Sequence, residues 1–171
     1  MCLRNDGRLR RVALQYQRQQ QRDTDLVFRE WITIYINLDI LNERDFKFCP
    51  CNAATKCGAH ILSDESKIPD LYESPSLYGR NRTPHMLQCC PTDDQAEILI
   101  KDNIPYRFFS GIAVSNEEIA SRVYAMIKTY GKPNIPIYIA PDVLNTNWSN
   151  MIRRGVRPTE TSFLNNKEEI L

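Results

Sequence analysis

The chain has 171 residues, of which 42% are hydrophobic and 25% are charged. This balance is typical of a folded globular protein and argues against a disordered one. The formal net charge is +1, so no global electric field directs the protein to nucleic acid or to a membrane surface. The longest apolar stretch, residues 31–40, is too short and too polar to span a bilayer. We therefore expect one domain, residues 1–171, without a membrane partner.

Residues 1–29 are predicted to form a protruding helical arm. Leu9, Val12 and Tyr16 recur at the spacing of one helix face, whereas the second half of the segment is rich in Gln and Arg. Such a polar helix lies in solvent or against a partner, and arginine suits pairing at interfaces. The residues predicted to make assembly contacts are Arg8, Arg11, Tyr16, Arg18 and Arg22. A solvated helix and a basic nucleic-acid-binding arm are the alternatives.

Residues 30–171 are predicted to form a mainly β body. The clearest strand signal is Trp31–Ile40, in which the alternating isoleucines face the core and Tyr35 faces outward. Residues 46–91 are rich in Cys and Pro and predict a long loop. Further strands are predicted at residues 97–100, 106–114 and 135–140. Because proline has no backbone N–H to donate, Pro136 indicates that the last of these strands lies at the edge of a sheet.

One amphipathic helix is predicted over residues 116–130. Ser115 is the expected N-cap, Glu118 completes a capping box, and Gly131 ends the helix. One more helical turn is predicted near residues 148–153. The fold class that follows is α+β: an antiparallel β-sandwich-like body with a protruding N-terminal helix and one late amphipathic helix.

The cysteines allow a metal hypothesis. The candidate zinc ligands are Cys49, Cys51 and Cys57 with His60, and Cys89 is an alternative to His60. This spacing is not that of two paired CxxC knuckles, so we favour free thiols or disulfides over a metal. The sequence does not give the pairing of the cysteines.

No catalytic constellation is recognisable in the sequence. The chain lacks a P-loop and a GxGxxG motif, and 6 glycines leave little scope for a phosphate-binding loop. The two histidines, His60 and His85, have no nucleophile elbow near them. Asp93 and Asp94 are adjacent and point apart, which does not suit general acid–base work. The sequence therefore predicts a protein that is not an enzyme and has no cofactor.

The order of the predicted elements resembles that of the cypovirus polyhedrins, the matrix proteins that crystallise around virus particles in insect cells. The segments that carry the resemblance are Gly7–Glu30, Trp31–Ile40, Phe108–Val114 and Glu117–Tyr130. The resemblance implies a self-assembling structural protein whose trimers are cross-linked by the N-terminal helix. Its partners would be further copies of itself and virus particles, with nucleotides trapped in the lattice and nucleic acid otherwise not a partner. It would form cytoplasmic inclusion bodies that later become extracellular crystals.

Alkaline dissolution of such crystals requires groups that titrate at high pH. Tyrosine and lysine lose protons near pH 10, and the pH-sensitive surface tyrosines are predicted to be Tyr35, Tyr72 and Tyr78. A cytosolic zinc-binding adaptor and a small nucleic-acid-binding protein that uses the basic arm are the alternative functions.

Overall fold

The computed structural model describes residues 2–3, 8–10, 31–131, 135–145 and 148–163. Within these residues the strands are β1 Cys2–Leu3, β2 Arg8–Arg10, β3 Thr33–Asn37, β4 Phe46–Cys49, β5 Glu97–Ile100, β6 Phe109–Val114, β7 Ile137–Ile139 and β8 Thr161–Ser162. The α-helices of the same residues are α1 Ile40–Glu43, α2 Glu117–Thr129 and α3 Trp148–Arg153. Short 3₁₀ turns lie at Thr55–Gly58, Glu65–Tyr72, Tyr106–Phe108 and Pro141–Leu144. No helix in this part of the chain combines the length and apolar character that crossing a membrane requires.

The described strands form a mixed six-stranded sheet, in the order β1-β2-β3-β6-β7-β8, and a separate β4-β5 pair. Neighbouring strands are antiparallel except β6 and β7, which run parallel with Ile112 opposite Ile137. Parallel neighbours need a crossover connection, and α2 is the helix between these two strands. The sheet is therefore mixed, because α2 carries the chain back to the end of the sheet where β6 began, so that β7 runs in the same direction as β6.

Helix α2 covers one face of the large sheet. Its N-cap is Asn116, whose side-chain oxygen accepts a hydrogen bond from the Ile119 backbone N–H at 3.0 Å. The helix buries its apolar stripe against the middle strands, and the buried residues of this core are Ile112, Val114, Ile119, Ala120, Ile137 and Phe163. Gly131, with a φ of +60°, follows the end of the helix and suits the left-handed conformation found there.

The opposite face of the sheet carries a second core. Tyr35, Ala113, Ala140 and Val143 are buried there together, and the 3₁₀ turn Pro141–Leu144 supplies Val143. Strand β3 turns Thr33 and Tyr35 into the protein, whereas Ile34 and Ile36 on its other face are only half-buried, so the predicted inner isoleucine face is wrong. The small β4–β5 sheet packs separately against the turn Glu65–Tyr72, with Phe48, Leu71 and Ala96 buried between them.

Several sequence predictions are confirmed. The fold is α+β, and the predicted strand at residues 97–100, the late amphipathic helix and the helix at residues 148–153 all exist. These elements have local signals: an apolar run, a capped amphipathic stripe and a short run of helix-compatible residues. The division into one domain with an arm stays a prediction.

Other predictions about the fold need correction. A helix over residues 7–29 does not fit the strand at Arg8–Arg10, and residues 11–30 lie outside the described part of the chain. The parallel β6–β7 pair is not part of an antiparallel sandwich. Strand β7 is not at an edge, because β8 pairs with it on the side away from β6. The expected capping box at Ser115 is replaced by the Asn116 cap one residue later.

Candidate active site

A group of residues far apart in the sequence meets on the face of the large sheet opposite α2. Tyr35 on β3 lies opposite Gly111 on β6 in the strand register. Tyr138 on β7 lies opposite Ser162 on β8. Glu160 comes two residues before Ser162, and side chains two apart in an extended chain share a face. The register therefore brings Tyr35, Tyr138 and Glu160 to one face.

The centre of this face is occupied by the two tyrosine rings. Their centroids lie 5.9 Å apart with an interplanar angle of 33°. Gly111 makes this possible, because a Cβ there would lie 2.6 Å from Cε2 of Tyr138 and 3.2 Å from Cδ2 of Tyr35. We infer that glycine is required at this position by packing, since any larger residue would push the rings apart.

Glu160 is held by Tyr35. The Tyr35 hydroxyl donates a hydrogen bond to Oε1 of Glu160 over 2.5 Å, and 125 positions separate the two residues. A distance this short is typical of a hydroxyl donating to an ionised carboxylate, the stronger class of hydrogen bond. Tyr35 is fully buried, whereas Glu160 is only half-buried. The Glu160 carboxylate is thus held by a buried tyrosine, while Glu160 itself stays partly exposed to solvent.

This hydrogen bond joins parts of the chain that are not neighbours in the sheet. The sheet order puts β3 and β8 three steps apart, which is about 14 Å in a flat sheet at roughly 4.8 Å a step. The long side chain of Tyr35 and that of Glu160, one residue before β8, together bridge this span.

The segment before Glu160 is fixed by three hydrogen bonds. Asp142, in the 3₁₀ turn after β7, accepts a hydrogen bond from the Thr159 backbone N–H at 3.0 Å. Further back, Arg153 at the end of α3 donates to the carbonyl of Asn81 at 2.6 Å. The Thr83 hydroxyl in turn donates to the Arg153 carbonyl. These bonds attach the segment that leads to Glu160 to the rest of the body.

The residues of the zinc hypothesis are not assembled. Cys49 and Cys51 are buried with their sulfurs 3.6 Å apart, but Cys57 is exposed. Among the residues that the structure describes, no three Cys, His, Asp or Glu side chains converge as metal ligands. Cys49, Cys51, Cys57, Cys89 and Cys90 are all free thiols. Burial raises the pKa of the Cys51 thiol to about 11, and its hydrogen bond to Cys49 adds to the shift.

The residues predicted for assembly and for pH response lie in different environments. Arg8 lies in β2, and the other four predicted assembly residues, Arg11, Tyr16, Arg18 and Arg22, lie outside the described residues. Tyr35 was expected at the surface but is fully buried, because it packs with Ala113, Ala140 and Val143 on the face of the sheet opposite α2. Tyr72 is half-buried with the Arg82 guanidinium 5.8 Å from its ring centroid. Tyr78 is exposed.

Sequence reasoning missed Glu160 altogether. It selected Tyr35 for an outward-facing role, and it had no reason to connect this residue with a carboxylate near the other end of the chain. Neither residue lies in a local motif, and only the strand register brings them together. A single sequence therefore offers no signal for this pair.

Comparison with known proteins identifies the class of the protein. Residues 9–148 match the family model described as "ssDNA thymidine ADP-ribosyltransferase, DarT". The match covers well over half of the 171 residues, and the chain belongs to this DarT family. The matched region contains Tyr35, Gly111 and Tyr138 and ends before Glu160. A search of curated individual proteins gives no match.

The family match overturns the functional predictions made from sequence. The polyhedrin resemblance is wrong, because it rested on the order of elements and on no signature motif, and with it the occlusion-body role, the trimer lattice and the virus-particle partner fall. The prediction that the protein is not an enzyme is wrong, because the family is one of transferases. The exclusion of nucleic acid is also wrong, since the family acts on single-stranded DNA. Neither alternative, the zinc-binding adaptor or the small nucleic-acid-binding protein that uses the basic N-terminal arm, is supported.

Proposed function

We propose that this protein transfers ADP-ribose from NAD⁺ to thymidine in single-stranded DNA, with Glu160 as the charged group at the reacting centre. The family match over residues 9–148 carries the proposal. The Tyr35–Glu160 hydrogen bond supplies the candidate residue. NAD⁺ is a substrate here, since its ADP-ribose is consumed.

The chemistry of the reaction explains why a fixed carboxylate suits it. The bond between nicotinamide and the anomeric carbon of the ribose breaks, and nicotinamide leaves with the electron pair. Positive charge then develops on the ribose, as in glycoside cleavage. The thymidine acceptor forms the new bond to that carbon and gives up a proton. A carboxylate held in place before the reaction stabilises the developing positive charge without having to reorganise.

The residues of the face that carries Tyr35 and Glu160 fit these requirements. Glu160 is half-buried, so a substrate can reach it while part of the surrounding water is excluded. Tyr35 holds Oε1 from inside the protein, and the Thr159–Asp142 hydrogen bond fixes the neighbouring backbone. We assign Glu160 the role of stabilising the ribosyl cation and Tyr35 the role of positioning Glu160.

A comparison of two matched variants tests this assignment. In Glu160→Gln the side chain keeps its size and loses its charge, and we expect the rate of nicotinamide release with NAD⁺ and a thymidine-containing oligonucleotide to fall by about 100-fold or more. Glu117→Gln, which makes the same change on exposed α2, should leave the rate unchanged. Full activity in Glu160→Gln would remove Glu160 from the mechanism.

A further inference from the structure

The turn at residues 76–80 presents two consecutive large apolar side chains to solvent. Leu77 is 53% exposed and Tyr78 is 46% exposed. Single exposed apolar residues are common at protein surfaces, whereas contiguous apolar patches mark interaction sites. The pair, here called the 77–78 tip, has no part in the candidate active site.

The tip is held in a fixed conformation. The Gly79 backbone N–H donates to the Ser76 carbonyl at 2.8 Å, and the Ser76 N–H donates to the Arg80 carbonyl at 2.7 Å. The rings of His60 and Tyr78 pack edge to face, with their centroids 6.0 Å apart and an interplanar angle of 89°. A surface held this way loses little conformational freedom when a ligand binds.

The Tyr78 side chain has an inner polar end and an outer ring face. Its hydroxyl interacts with the side chains of Thr55 and Cys51. Desolvation of this end raises the pKa of the Tyr78 hydroxyl above its usual value, and the nearby Cys51 adds to the shift. The phenol therefore stays neutral at physiological pH and adds no negative charge that would repel a phosphate backbone.

Arg80, which follows the tip, is paired with carboxylates: it pairs with Asp94 and lies 3.9 Å from a carboxylate oxygen of Asp93. Lys56 is an exposed positive charge next to Thr55, whose side chain interacts with Tyr78. The tip therefore suits a ligand with a flat apolar face better than a ligand recognised mainly by charge. Unpaired nucleic-acid bases are such ligands, and they stack on exposed aromatic side chains irrespective of sequence.

The tip is connected to the segment that leads to the candidate active site. Asn81 and Thr83, shortly after the tip, hydrogen-bond to Arg153. Gly155, with a φ of +75°, packs so tightly on the His85 carbonyl that a Cβ there would overlap it. The loop that carries the tip thus lies beside the chain that continues to Glu160.

We propose that the 77–78 tip stacks on a base of the single-stranded DNA substrate, away from the base that is modified. The inference rests on the proposed function for its choice of ligand. The tip serves as a second point of attachment: the ring of Tyr78 takes the face of one unpaired base and Leu77 extends the apolar contact.

Equilibrium binding without NAD⁺ tests the tip separately from catalysis. The probe is a fluorescently labelled oligodeoxythymidine, and the readout is its anisotropy against the concentration of the full chain. We expect Tyr78→Ala to weaken binding by about 5- to 100-fold, and Tyr78→Phe to stay within about twofold of native because it keeps the ring. Tyr130→Ala, which removes a 73% exposed tyrosine from the end of α2, should bind like native protein.

Salt dependence and thermal unfolding provide the controls. Stacking contributes no phosphate contact, so the slope of log affinity against log salt concentration should be the same in Tyr78→Ala and native protein. If native protein binds the oligomer and Tyr78→Ala binds it equally well, the tip proposal is overturned while the proposed function stands. If native protein does not bind the oligomer, the proposed function fails together with the tip. If Tyr78→Ala lowers the melting temperature, Leu77→Ser is tested in its place. We expect the same loss of binding in Leu77→Ser, and unchanged binding would overturn the proposal.

Discussion

Removing the hydroxyl of Tyr35 isolates the contact on which the candidate site depends. Tyr35→Phe keeps the ring, and with it the packing against Tyr138 and over Gly111. It deletes the 2.5 Å hydrogen bond to Glu160. Hydrogen bonds to charged groups contribute about 1.5–3 kcal/mol to stability. Glu160 is half-buried, so water replaces part of the lost bond and we expect a loss at the lower end, about 1.5 kcal/mol.

The assay for this prediction is reversible unfolding by urea and by heat. A loss of about 1.5 kcal/mol lowers the melting temperature of a chain of this size by roughly 3–6 °C. Tyr130→Phe, which removes an exposed hydroxyl, should change the melting temperature by less than 1 °C, on the order of the effect of an ordinary surface substitution. In a Glu160→Ala background, Tyr35→Phe should lower the free energy of unfolding much less than in the native chain, because the two side chains share one interaction.

Activity distinguishes positioning from a purely structural role. If Tyr35 positions Glu160, Tyr35→Phe lowers kcat at a temperature where the variant is fully folded and changes KM for NAD⁺ little. A variant that is as stable and as active as native protein would refute the reasoning about this hydrogen bond.

Two further predictions concern packing and the buried thiols. Gly111→Ala should destabilise the fold by about 1–3 kcal/mol, since its Cβ overlaps the Tyr138 ring; urea unfolding measures this, and native stability would contradict the packing described. At pH 8 iodoacetamide should modify exposed Cys57 quickly and buried Cys51 slowly, because the pKa of Cys51 is raised to about 11; mass spectrometry of peptides gives both rates, and equal rates would contradict the burial. The raised pKa also means that the folded state favours the neutral thiol, so the contribution of Cys51 to stability is complete below its ordinary pKa of 9.0 and is lost as the pH rises toward about 11.

The parts of the fold that the sequence predicted are those with local signals. The strand Glu97–Ile100 and the helix Glu117–Thr129 follow from runs of neighbouring residues. The orientation of β3 does not, because alternation alone does not show which of its two faces meets the core. Tyr35 is fully buried, whereas Ile34 and Ile36 are only half-buried. The assignment of β7 to an edge failed because the proline rule considers only the lost N–H, and Pro136 lies just before the strand Ile137–Ile139.

The candidate site was beyond sequence reasoning for a related reason. Tyr35 and Glu160 are 125 positions apart, and no spacing rule connects two residues that meet only through the arrangement of strands in a sheet. Adjacent nucleophiles, bases and carboxylates are the signals that a sequence offers for an active site, and their absence favoured a non-enzymatic interpretation. The resemblance to a structural protein followed from element order alone, and this order does not distinguish families.

The most direct test of the central claim is ADP-ribosyl transfer by the purified chain. Mass spectrometry would follow two single-stranded oligonucleotides, identical except that one contains a single thymidine and the other none, after incubation with NAD⁺. We expect the thymidine-containing strand to gain the mass of one ADP-ribose, with release of nicotinamide, and we expect Glu160→Gln nearly to abolish the gain. Absence of transfer by folded native protein, or equal modification of the strand without thymidine, would contradict the central claim.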